Sequence, residues 1–157
     1  MDQLDLALIE LLDAHPGLPV VEYARRLGVA RATVQSRLDR LHSRRVIESM
    51  SPRISLVALG YPVLAVCTFQ IRQSSTHTSV YESLQAIPEL LELHTITGED
   101  DMMAKFAARS TDDLQRVFDA ISSIPAISRT KTSIAMKSYV NDRTRPLLRK
   151  IAQGGEQ

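Results

Sequence analysis

Residues 18–47, LPVVEYARRLGVARATVQSRLDRLHSRRVI, constrain this chain more than any other stretch, because their pattern reads as helix, tight turn, helix. Tyr23, Ala24 and Leu27 give the first helix an apolar side, and Gly28 interrupts it as a C-terminal glycine does on entering the left-handed region. Val34, Leu38 and Leu41 then recur at i, i+4 and i+7, one apolar stripe on a second helix. Opposite that stripe lie Arg31, Thr33, Gln35, Ser36, Arg37 and Arg40, cations and side chains able to hydrogen-bond base edges. Two helices joined by so short a glycine-containing turn match the helix-turn-helix, whose second helix enters the DNA major groove.

Charge supports this reading locally. The chain carries 19 Lys+Arg against 18 Asp+Glu, too even a balance to suggest a nucleic-acid binder by itself. Residues 25–53, however, hold eight arginines against Asp39 and Glu48. Clustering, more than net charge, is the electrostatic footprint of phosphate binding, and arginine forks onto phosphate or guanine. Arg31, Gln35, Ser36 and Arg40 are expected to face the groove, and Arg37, Arg44 and Arg45 to reach phosphates or the helix end. The competing reading, an amphipathic helix pair packed on another protein, accounts for the stripe but not for the charge.

The length of 157 residues suits two short domains, and 44% hydrophobic content suits a globular protein. No apolar run approaches the roughly 20 residues that span a bilayer, so no membrane partner is expected. Met1 leads straight into an amphipathic pattern, so no signal peptide is expected. The single cysteine, Cys67, leaves no internal disulfide and no zinc cluster, which points to a reducing cytoplasm. Cys67 falls on the apolar side of a strand pattern and reads as a buried thiol rather than a nucleophile.

Asp2 and Asp5 stand at capping-box spacing before Leu4, Leu8, Leu11 and Leu12, which predicts a first helix stopped by His15-Pro16-Gly17. A three-helix domain over 1–47 follows, then a linker over 48–60 with some extended character. From Tyr61 the period becomes two: Val63, Ala65, Cys67, Phe69 and Ile71 alternate with residues that turn polar, a strand. Ser79 and Glu82 predict a capping box for a helix with Val80, Leu84 and Ile87 inward, closed by Pro88. Strands are expected over 90–97 and 102–108 around Gly98-Glu99-Asp100-Asp101. A helix from Ser110 with Leu114, Val117, Phe118, Ile121 and Ile124 inward comes next, then a strand over 127–136. Ala86-Ile87-Pro88 and Ser123-Ile124-Pro125 lie 37 residues apart, a faint internal repeat. The order β-α-β-β-α-β with such a repeat is that of the ferredoxin-like fold, here over 61–140. Its helices cover one sheet face, and the other is expected to expose an apolar patch that a second copy buries. Residues 141–152, with Leu147, Leu148 and Ile151, read as a short helix, followed by a frayed tail to 157. The fold class is α+β: a three-helix helix-turn-helix domain followed by a ferredoxin-like βαββαβ domain.

MDQLDLALIELL at the start, GVARATVQSRLDRLHSRRVI over the second helix of the motif, TGEDD after the second strand and RTKTSIAM in the fourth together resemble the Lrp/AsnC, or feast/famine, transcriptional regulators. The resemblance runs from Met1 to about Ala152. It implies sequence-specific DNA binding, homodimers formed through the second module with assembly as far as octamers, and an amino acid or related metabolite as effector at a subunit interface. It places the effector site on Gly98, Glu99 and Asp101 of the acidic turn and on Thr130, Thr132, Ser133 and Ile134 of the facing strand. Free turn amides and hydroxyls could take a carboxylate, and an acid could take an α-ammonium, with Asp101 the ammonium partner. The site implies no metal, cofactor or catalytic residue.

The chain departs from the family pattern at three positions. Ala30 replaces the serine that usually caps the recognition helix, Arg45 replaces the glycine after it, and Asp100 replaces an aromatic within the turn. Arg45 must therefore strain its backbone or let the turn close differently, and Asp100 should favour a polar or basic effector. Two other readings remain open here: an effector-free architectural DNA-binding protein, and an enzyme like the siroheme decarboxylases, which share the layout and for which His77 and His94 would be the candidates.

Overall fold

A computed structural model of the protein describes residues 1–154. In chain order its elements are α1 (Gln3–Ala14), α2 (Val20–Leu27), α3 (Arg31–Ser43), β1 (Val63–Ile71), α4 (His77–Leu84), β2 (Leu90–Thr95), β3 (Met102–Ala108), α5 (Thr111–Ser122), β4 (Ile127–Ile134) and α6 (Arg145–Gly154). They form two compact units, Met1–Arg53 joined by the chain from Val140 onward, and Ile54–Tyr139.

The first unit is built on a core of Leu8, Leu12, Tyr23, Ala24, Val34, Leu38 and Leu41. Asp2 caps α1 as expected: its carboxylate accepts from Asp5 N–H at 2.9 Å, and Asp5 returns the bond to Asp2 N–H at 3.1 Å. The Tyr23 hydroxyl donates to His15 O at 2.8 Å and accepts from Leu18 N–H, so α2 pins the turn that leaves α1. Gly28 closes α2 at φ 66°, the left-handed conformation its position calls for. α6 begins later than its apolar pattern suggests, at Arg145 instead of 141. Pro146 has no N–H to bond back into a preceding turn, so it can occupy only the first turn. Leu147 and Ile151 lie exposed there. The expected tail beyond Gly154 lies outside the described residues.

In the second unit four strands form one antiparallel sheet in the order β2-β3-β1-β4, the ferredoxin-like arrangement, with a core of Cys67, Phe69, Val80, Leu84, Ala104, Phe106, Val117 and Ile121 among others. Five expectations need correction. The capping box of α4 is Thr76 with Ser79, not Ser79 with Glu82: Thr76 is extended, and its hydroxyl accepts from Ser79 N–H. α4 starts at His77, two residues before Ser79, and stops at Leu84, where Ile87 N–H turns back to Leu84 O ahead of Pro88. β2 ends at Thr95, because Ile96 N–H bonds Asp101 O and starts the turn; β4 ends at Ile134, where Ala135 N–H makes a last bond to Leu64 O. Residues 55–61 are turns rather than extended chain, with Leu59 N–H on Ser55 O and Tyr61 N–H on Leu56 O.

The strand register decides which side chains share a face. Ala65, Cys67 and Phe69 oppose Ala104, Phe106 and Met102 in crossed order on the face that α4 and α5 cover. The open face carries Leu64, Val66 and Met103, and beside them Thr68, Lys105, Glu92, His94 and Lys131. Lys105 Nζ lies 2.8 Å from Glu92. The apolar patch is thus a strip bordered by ion pairs, narrower than the alternation suggests, because β2, β3 and β4 all place charged residues on this side.

Candidate nucleic-acid interface and acidic turn

α3 buries Val34, Leu38 and Leu41 and turns Arg31, Gln35 and Ser36 to solvent, while Thr33 is half-buried. Ala30 occupies the N-cap with no side-chain bond, so the first-turn amides of α3 have no hydroxyl partner from the cap. Gln35 Nε2 donates to Asp39 Oδ1 at 2.9 Å, an i, i+4 bond that orders the amide along the exposed face. At the other end, Arg44 is the C-cap and Arg45 lies at φ 54°. Arg45 N–H bonds His42 O and Val46 N–H bonds Leu41 O, each at 2.9 Å, a Schellman closure made without glycine.

Two of the predicted contact arginines already have carboxylate partners. Arg37 Nη1 donates to both Asp2 oxygens at 2.6 Å and to Asp5 Oδ1 at 2.8 Å; Arg40 Nη2 donates to the two Asp5 oxygens at 2.7 and 2.8 Å. The Arg37 bond foremost, with the Asp5 backbone N–H, lowers the Asp2 pKa to about 2. Burial pushes Asp5 upward, but the Asp2 backbone N–H and the two guanidinium groups outweigh it and hold Asp5 below its ordinary value. Arg25 and Arg26 both meet Glu22, at 2.7 and 2.8 Å. Among the described residues, Arg31, Arg44 and Arg45 have no carboxylate within ion-pair distance.

The acidic turn lies against β1 and β4. Asp101 N–H donates to Phe69 O at 2.8 Å, and its carboxylate accepts from Ile71 N–H at 2.7 Å. That amide points to the β3 side and is free because the β1–β3 pairing ends at Phe69 and Met102, two residues short of it. Asp100 accepts from the Thr68 hydroxyl at 2.6 Å and from Lys131 Nζ at 3.2 Å, and Lys131 also reaches Glu99 at 3.1 Å. The Thr68 bond foremost, with Lys131, keeps Asp100 below the usual carboxylate range against burial. The second oxygen of Asp100, Oδ1, is buried with no partner. Gly98 sits at φ 125°, a conformation for which glycine is suited.

Of the residues expected at this site, the structure brings Glu99 to β4 through Lys131, together with Asp100. Asp101 is directed to the β1 backbone. Thr130, Thr132 and Ile134 pair with Phe69, Cys67 and Ala65 and share the helix-covered face, with the Cys67 Sγ 3.4 Å from Thr132 Oγ1. Ser133 faces the open side opposite Val66. Cys67 is buried as expected, and burial pushes its thiol up. Sequence reasoning missed Asp2 and Asp5 as partners of the α3 arginines, and missed Thr68 and Lys131 beside the turn. Lys131 was legible in principle, since alternation within RTKTSIAM sets it on the face opposite Thr130 and Thr132.

Residues 1–42 match the AsnC-type helix-turn-helix domain and residues 64–145 the Lrp/AsnC ligand binding domain. HTH-type transcriptional regulator FL11 of Pyrococcus horikoshii is 29% identical over 88% of this chain and 91% of its own length. Regulatory protein AsnC of Escherichia coli is 25% identical over 93% of this chain and 97% of its own. The solved structure of E. coli AsnC superposes with a TM-score of 0.85 at 25% identity, covering 93% of this chain and 99% of that one. A feast or famine regulatory protein from M. tuberculosis complexed with L-methionine does so at 0.81 and 27% identity, covering 90% and 96%.

Proposed function

The chain belongs to the Lrp/AsnC family of DNA-binding transcriptional regulators, and from that premise we propose that an amino acid bound at its acidic turn sets how its subunits associate on DNA. In this reading α3 enters the major groove with Arg31, Thr33, Gln35 and Ser36 toward base edges, while Arg44 meets the phosphate backbone. Residues 1–47 carry the DNA contacts and residues 61–140 the effector and the homodimer contact, which forms on the open sheet face around Leu64, Val66 and Met103. Octamers would be assembled from such dimers. The regulator works in the cytoplasm and needs no catalytic step. His77 opens α4, and His94 lies exposed, 3.4 Å from Glu92.

The observation that carries the effector reading is the buried, unpartnered Oδ1 of Asp100 beside Lys131. A buried carboxylate oxygen without a donor is costly, and a ligand ammonium or guanidinium would satisfy it. The M. tuberculosis relative complexed with L-methionine supports an amino acid as the ligand. Asp100 in place of an aromatic favours a polar or basic amino acid over leucine. Gly98, Glu99 and the braced Asp101 hold the turn in shape. Thr132, Ser133 and Ile134, exposed on the edge strand β4, are available to complete the site of a neighbouring subunit.

A thermal-shift screen of amino acids on the full chain, with light scattering beside it, tests this. A polar or basic amino acid should raise the melting temperature and change the assembly size. Asp100→Asn and Asp101→Ala should abolish both effects, the first by removing the acceptor charge and the second by releasing the turn from Ile71, with DNA binding nearly intact. Specific DNA binding that ignores every amino acid would replace this reading with an effector-free architectural regulator.

A further inference from the structure

The recognition helix meets its counter-charges at the start of α1, 32 to 35 residues away in the chain. Asp5 is 1% exposed, and it accepts from Arg37 and Arg40 at once. The Arg37 side chain is only 21% exposed and spans both carboxylates. Arg40, at 46%, is held at one end and open at the other. Carboxylate oxygens gripping guanidinium nitrogens at 2.6 to 2.8 Å offer what a DNA phosphate would offer the same groups. A guanidinium so engaged gains little by exchanging that partner for phosphate.

We propose that Asp2 and Asp5 act as an internal substitute for backbone phosphate, withholding Arg37 and much of Arg40 from DNA so that specific binding is not drowned by non-specific binding. Non-specific affinity comes essentially from phosphate neutralisation, and each phosphate contact changes the slope of log K against log salt by about 0.9. Of the arginines on α3 and at its end, this leaves Arg31, Arg44 and Arg45 to set that slope. Asp2 and Asp5 are positioning residues: they touch no base, and they decide which cations are presented.

The proposal rests on α3 as the DNA-contacting helix, and salt-dependent anisotropy titrations of the full chain on a non-specific duplex separate the two claims. Arg44→Gln should make the slope shallower by about 0.9, which tests α3 itself. Arg37→Gln should leave the slope unchanged. Asp2→Asn keeps a competent N-cap, because asparagine accepts the same backbone bond, but leaves two guanidinium groups on the single Asp5 carboxylate. It should steepen the slope by about 0.9, an added ~3.5-fold affinity difference between 50 and 200 mM salt. Arg37→Gln shallowing the slope as Arg44→Gln does, or Asp2→Asn leaving it unmoved in a chain whose circular dichroism shows it folded, would overturn the proposal. A slope that ignores Arg44→Gln would remove the reading of α3, and the proposal with it.

Discussion

Arg45→Gly deletes a charge and a long exposed side chain from the end of α3, and it is expected to make the protein more stable. Arg45 sits at φ 54° as the C′ residue of a Schellman closure, its own N–H on His42 O and the next on Leu41 O. An L side chain in the left-handed region costs about 1–2 kcal/mol, and glycine removes that cost. Glycine also gives the unfolded chain more freedom, which returns about 0.4–1 kcal/mol of it. The net gain is about 0.5–1 kcal/mol. For a chain of this size that raises the melting temperature by about 1–4 °C. Arg45→Ala is the control, because it removes the same charge and keeps the strained backbone; it should stay within about 0.5 kcal/mol of the parent. Thermal and urea denaturation at one fixed protein concentration measure the difference, since association itself shifts the midpoint. An alanine variant as stable as the glycine variant, or more so, would refute the argument from backbone strain.

Thr76→Ala should cost about 1 kcal/mol in urea denaturation through loss of the α4 cap, whereas Glu82→Ala should cost less than about 0.5 kcal/mol; the reverse ranking would restore Ser79 and Glu82 as the capping box. Asp2 and Glu22 are both held at about 2, from ordinary values of 3.8 and 4.5, by arginine bonds foremost. Their contribution to stability is therefore fully present above their unfolded values and is lost as pH falls from about 4.5 through 2. Urea midpoints should decline across that window, and less so in Asp2→Asn; midpoints flat down to pH 2.5 would contradict the pairing.

The parts legible in the sequence were those whose cause is local. Gly28 announced the turn between α2 and α3, Val34, Leu38 and Leu41 announced the buried side of α3, and alternation through Cys67 announced β1. Where two local signals shared a spacing, the choice between them was not visible: Thr76 with Ser79 and Ser79 with Glu82 are each three residues apart, and only the extended backbone at Thr76 decides. At α6 the apolar positions outweighed Pro146, the residue that sets where the helix can begin. The site was harder to read for a different reason. The partners of Arg37 and Arg40 lie at the other end of the first unit's sequence, and no periodicity connects them. Asp101 finds Ile71 N–H only because the β1–β3 pairing ends two residues earlier, at Phe69 and Met102, a limit that pairing sets and composition does not signal.

Selection of bound duplexes from a random library, run on the full chain and on Gln35→Ala and Ser36→Ala, tests the central claim most directly. A two-fold pair of α3 helices implies a near-palindromic motif with half-sites about 34 Å apart, one helical turn, or a multiple of it. The parent should enrich such a motif, and each variant should lose preference at the same position in both half-sites while keeping the spacing. Enrichment of no motif by the parent, or of an identical motif by all three proteins, would contradict recognition through the exposed face of α3.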